Sequence, residues 1–513
     1  MFAYSLKKSE LTAKRLDPNF YSPEQIVNEK KLSALSSEAL ESLRTEDAPI
    51  VYGILKPEGT SEGLYRVAKA EKFQGMFVDS DDCDEVSKTV YESFKRSVAK
   101  TGDVLIAIGG YVGRPAILNV KSGANCNINR HISRVRVDSS KIDPYYLVVF
   151  LSSRHGQKRL ERQITGSVQA GINLEDLREV HVSLFKKATQ KYIGDKVRQA
   201  EQLRAWAKRL EVKLALFENQ IPISKPAIAE AKHSKATLEF LTENRLDARY
   251  YAKKHLDLYA QFNNEFESFG SICSGFKYGA SIAANYVNSE GLPFIRGNAL
   301  SPNRINQDDI VYLNKSLEDA LKTAYVEEGD ILITRSGTVG VTTYVAAEHA
   351  KYWYGSFIIK CKLATNSYLP AYVSWYLNSW VGQQQFRRLE NGAVQLNINT
   401  EELSSIAIWK APQEFQTEID KLLIEQISAV SLSKSLTSAA KTLVESLIEG
   451  QLTEQQLIQV QQALNDGDNS LDQAILSKLS NEGYAIDGAT PLFSDIDELY
   501  RLLESAAQTE AEE

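Results

Sequence analysis

Gly102-Asp-Val-Leu-Ile-Ala-Ile-Gly-Gly-Tyr-Val-Gly113 returns later in the chain as Gly329-Asp-Ile-Leu-Ile-Thr-Arg-Ser-Gly-Thr-Val-Gly340, identical at seven of twelve positions. Self-similarity at long spacing marks a duplicated structural unit, and everything around it is read accordingly. Outward from this stretch, Gly166-Ser-Val-Gln-Ala-Gly-Ile-Asn173 is matched by Gly392-Ala-Val-Gln-Leu-Asn-Ile-Asn399, and Leu177 by Leu403. The offset drifts only from 227 to 226 residues. Toward the N-terminus, Arg15-Leu-Asp17 with Phe20-Tyr21 is echoed by Arg245-Leu-Asp247 with Tyr250-Tyr251, at an offset of 230. Each copy mixes apolar runs, such as Val104 to Ile108, with alternating ones, such as Ile132 to Val137. Such a mixture predicts α/β modules.

After each copy the hydrophobic period becomes helical. Ile193, Val197, Ala200, Leu203, Ala207, Leu210, Leu214 and Phe217 are spaced by three or four residues, as are Phe415, Ile419, Leu422, Ala429, Leu432, Leu436, Ala440, Leu443 and Leu447 around a polar Gln426. These are coiled-coil seams, in which one polar residue can fix the register. Proline cannot continue a helix, so Ile221-Pro-Ile-Ser-Lys-Pro226 ends the first one. The predicted layout is a first module at 1–187, a central spacer helix at 188–220, a linker at 221–236, a second module at 237–412, a distal spacer helix at 413–450 and an acidic extension at 451–513. Each helix follows its own module. Seams that pair with one another must therefore run antiparallel, which predicts a pseudo-two-fold arrangement with the two modules held apart.

A chain of 513 residues has room for two to four domains. With 43% hydrophobic and 24% charged residues and no apolar run long enough to span a bilayer, it reads as soluble. The start, Met1-Phe-Ala-Tyr-Ser-Leu-Lys-Lys, lacks the order of a signal peptide, which predicts a cytoplasmic location. Cys83, Cys126, Cys273 and Cys361 are scattered singly, which argues against zinc ribbons and disulfide frameworks and predicts buried small hydrophobes. The net charge of −7 is unevenly placed. Residues 451–513 hold thirteen acidic and two basic side chains, leaving +4 on residues 1–450. Residues 101–187 hold thirteen basic against seven acidic side chains, enough for a face that meets phosphates.

The duplicated Gly-Asp-[Val/Ile]-Leu-Ile phrase, each copy followed by a long helix, resembles the specificity subunits of type I restriction-modification systems. Asn129-Arg-His-Ile-Ser-Arg-Val-Arg136 and Val444-Glu-Ser-Leu-Ile-Glu-Gly450 are similar to stretches of that family, and the resemblance covers residues 1 to about 450. The acidic extension departs from the pattern and its role is unassigned: its leucines allow short helices, Thr509 to Glu513 reads as frayed, and an autoinhibitory or DNA-mimicking use of its charge is the hypothesis. The resemblance implies two target recognition domains on antiparallel helices and a double-stranded DNA target read as two half-sites. It further implies two methyltransferase subunits as partners, with S-adenosylmethionine held by them and no cofactor in this chain. A motor and nuclease restriction subunit can join such complexes. The alternative is a stand-alone bipartite DNA binder in phage defence or regulation.

No catalytic pattern survives inspection, so a non-catalytic subunit is expected. Asp143-Pro-Tyr-Tyr146 approaches the loop of amino-methyltransferases but lacks its second proline, and its counterpart is Leu369-Pro-Ala-Tyr372. The glycines at 109, 110 and 113 precede no phosphate-loop lysine, and the six histidines show no metal-ligand spacing. Base readers need Arg, Lys, Asn, Gln, Ser or Thr presented from loops. The candidates are Tyr111, Arg114, Arg130, His131, Arg134, Ser167 and Gln169 in the first module, and Arg335, Ser336, Thr338, Gln395 and Asn397 in the second. Residues that differ between copies are the stronger candidates, because two different half-sites need different readers. Leu203, Trp206, Leu210, Leu214, Leu422, Leu436 and Leu443 are candidate subunit-interface positions, with the leucines also serving as core.

Overall fold

The repeated Gly-Asp opens a buried strand in both modules because glycine supplies a left-handed turn and aspartate ties it off. Gly102 and Gly329 sit at φ 86° and 80°. Asp103 then accepts from the Lys100 amide at 2.8 Å, and Asp330 from the Glu327 amide at 2.8 Å. Such a turn admits few residues other than glycine. The computed structural model describes residues 11, 15, 17–56, 63–166, 170–225, 233–243, 245, 247–283, 285–288, 290–392 and 395–512.

The strands that follow these turns are buried throughout and central to their sheets. Val104–Ala107 pairs antiparallel with Ile132–Val135 on one side and Pro115–Asn119 on the other. Ile331–Thr334 pairs in the same way with Ile358–Leu363 and Thr342–Tyr344. The first module completes a five-stranded and a four-stranded sheet, and the second has two four-stranded sheets. Helices then cover them: Pro144–Ser152 and Arg154–Arg162 in the first, Pro370–Asn378 and Trp380–Leu389 in the second. Asp143 caps the first of these helices by accepting from the Tyr145 and Tyr146 amides, so the Asp-Pro-Tyr-Tyr stretch is a helix start. The Tyr146 hydroxyl donates to the Ser183 carbonyl at 2.6 Å, and that of Tyr372 to the Trp409 carbonyl at 2.8 Å.

The paired Arg-x-Asp stretches build one knot twice. Arg15 Nε donates to Asp17 and Arg245 Nε to Asp247, at 2.7 and 2.8 Å. Each arginine lies over the next aromatic ring, Phe20 or Tyr250, at 5.0 and 4.8 Å. The Tyr21 and Tyr251 hydroxyls close the knot on the arginine carbonyls at 2.7 and 2.6 Å.

The long helices run over Lys187–Phe217 and Gln413–Glu449, about 46 and 55 Å at 1.5 Å per residue. The chain divides into two compact units, Met1–Ala205 with Ala429–Glu513, and Trp206–Ser428. In the second unit Phe217 meets Phe415 at 5.4 Å and Lys213 meets Glu418 at 3.3 Å, which fixes an antiparallel direction. In the first unit the buried Ser433, next to seam residue Leu432, donates to the Ala200 carbonyl at 2.8 Å. Leu203, Leu436 and Leu443 are fully buried in the first unit. Leu210, Leu214 and Leu422 belong to the hydrophobic core of the second, against which Trp206 packs half-buried. The expectation that the six leucines face another subunit is therefore corrected, while Trp206 stays partly exposed. The apolar stripe is consumed by the chain's own packing.

The acidic extension folds onto the first unit. Glu454–Asn465, Ser470–Leu476 and Ile496–Glu512 are helices, the last continuing through the stretch from Thr509 where a frayed end was expected. Asp472 anchors it. This carboxylate accepts from Lys196 Nζ at 2.6 Å, the Tyr192 hydroxyl at 2.6 Å and the Tyr500 hydroxyl at 2.5 Å, with Lys196 and Asp472 each only 1% exposed. The first long helix is thus buried on the face of Tyr192 and Lys196 as well as along its seam.

The cysteine expectation is corrected for one pair. Cys273 and Cys361 form a disulfide across neighbouring strands, because the register of Cys273–Tyr278 on Ile358–Leu363 brings their Cα atoms to 6.4 Å. Cys83 and Cys126 are free and buried. Among the described residues no helix is long and apolar enough to cross a membrane, and no cluster of three His, Cys, Asp or Glu side chains is placed to hold a metal ion.

Candidate nucleic-acid interface

The glycine turn ends each central strand beside the later polar loop, and the same backbone bonds join the two. In the first module the Ile172 amide donates to the Ile108 carbonyl at 3.0 Å, and Thr165 and Gly171 exchange bonds of 2.8 and 3.0 Å. In the second, the Ile398 amide donates to the Arg335 carbonyl at 3.0 Å, and Asn391 and Asn397 exchange two bonds of 2.8 Å. The neighbouring strand contributes one more. The Ile108 amide meets the His131 carbonyl at 2.8 Å, and the Arg335 amide meets the Phe357 carbonyl at 2.9 Å. This registers His131 with Phe357, Ile108 with Arg335 and Gly171 with Asn397. The sequence repeat likewise sets Ile108 against Arg335 and Gly171 against Asn397, and the backbone bonds add His131 with Phe357.

On this shared frame the side chains diverge. In the second module Arg335 Nε donates to Asn397 Oδ1 at 3.2 Å, and its guanidinium lies over the Tyr278 ring at 4.6 Å. Ser336 is half-buried, Thr338 and Gln395 are exposed, and Phe357 is 56% exposed beside them. Ser336, Thr338 and Phe357 line a cavity of about 730 Å³ together with Tyr286, Arg296 and Asn298. In the first module Tyr111 is half exposed with Arg114 over its ring at 5.3 Å, and Arg114 donates to the Phe73 carbonyl at 3.4 Å. Arg130 and His131 are exposed, joined by Arg130 Nε donating to His131 Nε2 at 3.1 Å. The His131 ring lies over Gly109, where a Cβ would fall 2.6 Å from Nδ1.

Two placements differ from the sequence reading. Arg134 is 4% exposed and donates to the Val98 and Pro49 carbonyls at 2.6 and 3.2 Å, so it braces the sheet and cannot reach a nucleic acid. Burial pushes its pKa down. Part of the basic excess of residues 101–187 is also taken up within the protein. Arg136 pairs with buried Asp103 at 2.7 Å, Arg159 with Glu29 at 3.0 Å and Lys158 with Glu24 at 3.3 Å, and Arg154 with Glu445 and Glu449. Ser167 and Gln169 lie outside the described residues. Asn399 is a helix cap with a reciprocal Glu402 bond, whereas Asn173 starts its helix without a side-chain cap bond and donates to Asp176 at 3.4 Å.

The sequence reading missed a tyrosine that each module repeats. Tyr52 pairs opposite Ser133, and Tyr278 opposite Ile359, the same place on the same strand pair. Each tyrosine precedes a glycine whose Cβ would strike a backbone carbonyl: Gly53 at 1.7 Å and Gly279 at 2.3 Å. Each is also stacked by an arginine, Arg96 over Tyr52 at 5.7 Å and Arg335 over Tyr278 at 4.6 Å. Tyr52-Gly53 and Tyr278-Gly279 recur at an offset of 226, a two-residue signal too short to stand out.

A mixed α/β module in duplicate, each copy followed by a long helix, defines the class. A family model described as the type I restriction modification DNA specificity domain matches the chain twice, over residues 54–214 and 264–439. Those matches span more than half of the chain, which belongs to this family. The type I restriction enzyme EcoBI specificity subunit of Escherichia coli is 28% identical over 214 residues, covering 41% of this chain and 43% of that protein. The chain thus aligns with less than half the length of this curated relative. Two solved structures are also similar. The S subunit of a type I restriction-modification system from M. genitalium has 12% identity and a TM-score of 0.42, over 80% of this chain and 94% of that one. The HsdS subunit from Thermoanaerobacter tengcongensis has 14% identity and a TM-score of 0.27, over 81% and 97%.

Proposed function

We propose that this chain is the DNA-reading, non-catalytic subunit of a type I restriction-modification complex, with each module reading one half of a split target. The supporting observation is the pairing of one shared backbone frame with two different sets of side chains, of which His131 and Phe357 are exposed and Arg335, Ser336 and Asn397 half-buried. Arg335, Ser336, Asn397 and Phe357 occupy the frame in one module, and Ile108, Gly109, Gly171 and His131 in the other. Identical frames with exchanged side chains suit two readers of different sequences, since base edges are discriminated by side-chain donors and acceptors. In this reading two methyltransferase subunits assemble on the chain, they carry the S-adenosylmethionine, and restriction subunits can join. The leucine seams are not their docking surface. Outward positions of the long helices, such as the exposed Val212 and Leu216, are the available ones.

The test is the methylated motif of host DNA with and without this gene. A split motif that disappears on deletion and returns on complementation supports the reading. An unchanged methylation pattern refutes it.

A further inference from the structure

We propose that Arg335 reads a guanine, and that this contact exists only in the half-site of the second module. The inference rests on the DNA-reading function above and goes on to name the base. Three features of Arg335 carry it. Its Nε is held by Asn397 at 3.2 Å. Its guanidinium carbon lies over the Tyr278 ring at 4.6 Å. Among the described residues neither terminal amino group of Arg335 meets an acceptor. A guanidinium fixed at Nε and at its face has lost most of its rotamer freedom before any ligand arrives, and two parallel N–H donors remain. That fork matches O6 and N7 of guanine on the major-groove edge, the base that arginine reads in two-donor fashion.

A phosphate contact is the competing role for any arginine near DNA, and the duplication argues against it. Phosphates recur in both half-sites and carry no sequence information, so their contacts belong to positions that the copies share. Position 335 is not shared. Its counterpart on the same backbone frame is Ile108, and the counterpart of Asn397 is Gly171, which has no side chain to hold an arginine. The first module retains the tyrosine platform at Tyr52 but places on it Arg96 from a different segment. The platform is common and the reader is individual, as two unlike half-sites require. Asn397 is in this scheme a positioning residue.

The experiment uses the full chain in complex with the methyltransferase of its own system, incubated at fixed salt with a pool of randomised duplexes whose bound fraction is sequenced. Arg335→Ala, Arg335→Lys and Asn397→Ala are compared with the parent chain, and thermal unfolding of each complex confirms its fold. In the expected result the arginine variants both lose one guanine preference in one half-site, by roughly five- to 150-fold, the discrimination a two-donor arginine–guanine pair provides. Asn397→Ala loses part of it without a change in unfolding temperature, and the other half-site keeps its preferences. Arg335→Lys is decisive, because it keeps the charge and removes the fork. If Arg335→Ala weakens all duplexes alike and Arg335→Lys restores them, Arg335 neutralises a phosphate and the proposal falls. Loss of a preference for any base other than guanine also overturns it. A parent complex with no sequence preference overturns the DNA-reading function itself, an outcome distinct from failure at Arg335 alone.

Discussion

Replacing Asp472 with alanine tests how the acidic extension is held. Asp472 and Lys196 are each 1% exposed, and the carboxylate takes three hydrogen bonds of 2.5–2.6 Å, from Lys196, Tyr192 and Tyr500. Removing one partner of a buried ion pair strands the other charge, which destabilises by about 3–5 kcal/mol. The two tyrosine hydroxyls also lose their acceptor, which places Asp472→Ala at the upper end of that range. Apolar groups of similar volume strand no charge and leave only the half-buried Tyr500 hydroxyl without this acceptor. The triple variant Lys196→Met, Asp472→Leu, Tyr192→Phe therefore recovers most of the loss. The assay is urea unfolding followed by two probes. All five tryptophans, at 206, 353, 375, 380 and 409, lie in the second compact unit, so their fluorescence reports that unit while far-ultraviolet circular dichroism reports both. Asp472→Ala is expected to move the dichroism transition and leave the fluorescence transition in place. A loss under about 1 kcal/mol, or a triple variant no better than Asp472→Ala, refutes the reasoning.

Other expectations follow from single sites. Burial, with Lys254, Arg388, Arg249 and Arg387 nearby, holds the His255 pKa at about 4 against an ordinary 6.5. The unfolded chain protonates first, so this contribution is complete above about pH 6.5 and declines toward pH 4, by up to about 3 kcal/mol. Fluorescence-monitored stability across that window should flatten in His255→Gln, and an unchanged slope counts against the assignment. The Cys273–Cys361 bridge spans 88 residues, a loop whose closure is worth about 4–5 kcal/mol in the chain-entropy model. Alkylation of the unfolded, unreduced chain should label Cys83 and Cys126 and spare Cys273 and Cys361, and labelling of all four contradicts the bridge. Gly113 and Gly340 share a left-handed φ of 86° and 89°, but a Cβ at 340 would fall 2.6 Å from Phe386, whereas at 113 nothing is nearer than 3.6 Å. Gly340→Ala should therefore cost more than Gly113→Ala, which pays backbone strain of about 1–2 kcal/mol. Equal losses in thermal unfolding would mean that the backbone term alone decides.

What the sequence made legible was whatever repeats or has a period. The Gly-Asp turns, the Arg-x-Asp knots and the apolar seams recur because the backbone demands them, and the structure uses each as architecture. The seams predicted the helices but not their occupancy, since a leucine stripe looks the same whether it meets a neighbouring helix of the same chain or another subunit. Lys196 and Asp472 lie far apart in sequence and outside any apolar pattern, so their pairing left no trace. The disulfide was hidden for a similar reason, because it depends on strand register and 88 residues separate its ends. Arg134 was misread because a basic residue in an alternating strand is equally suited to the inner and outer face, and burial alone distinguishes them. The repeat itself sets 108 against 335 and 171 against 397, but the match of 131 with 357, and the meeting of all three positions on one frame, came only from the shared backbone bonds.

That correspondence can be used constructively by moving the reader of one module into the other. Ile108→Arg with Gly171→Asn rebuilds the Arg335–Asn397 pair in the first module, over a tyrosine already present at 52. Residue 171 has no left-handed φ to forbid a side chain. A Cβ there falls 3.1 Å from the Ile108 carbonyl, so the loop must shift by only a few tenths of an ångström. Two obstacles are visible. The exposed Arg96 already lies over Tyr52, and His131 stands where the second module has Phe357. Adding Arg96→Ala and His131→Phe clears both. The four-fold variant should then select a guanine in the half-site that formerly lacked that preference, while the half-site of the second module stays as it was. The quantity to measure is base preference at each position in the bound fraction of a randomised pool. A variant that folds, retains the second half-site and acquires no new guanine would show that the backbone frame does not meet base edges in the same way in both modules. The side-chain exchange would then reflect packing and not reading.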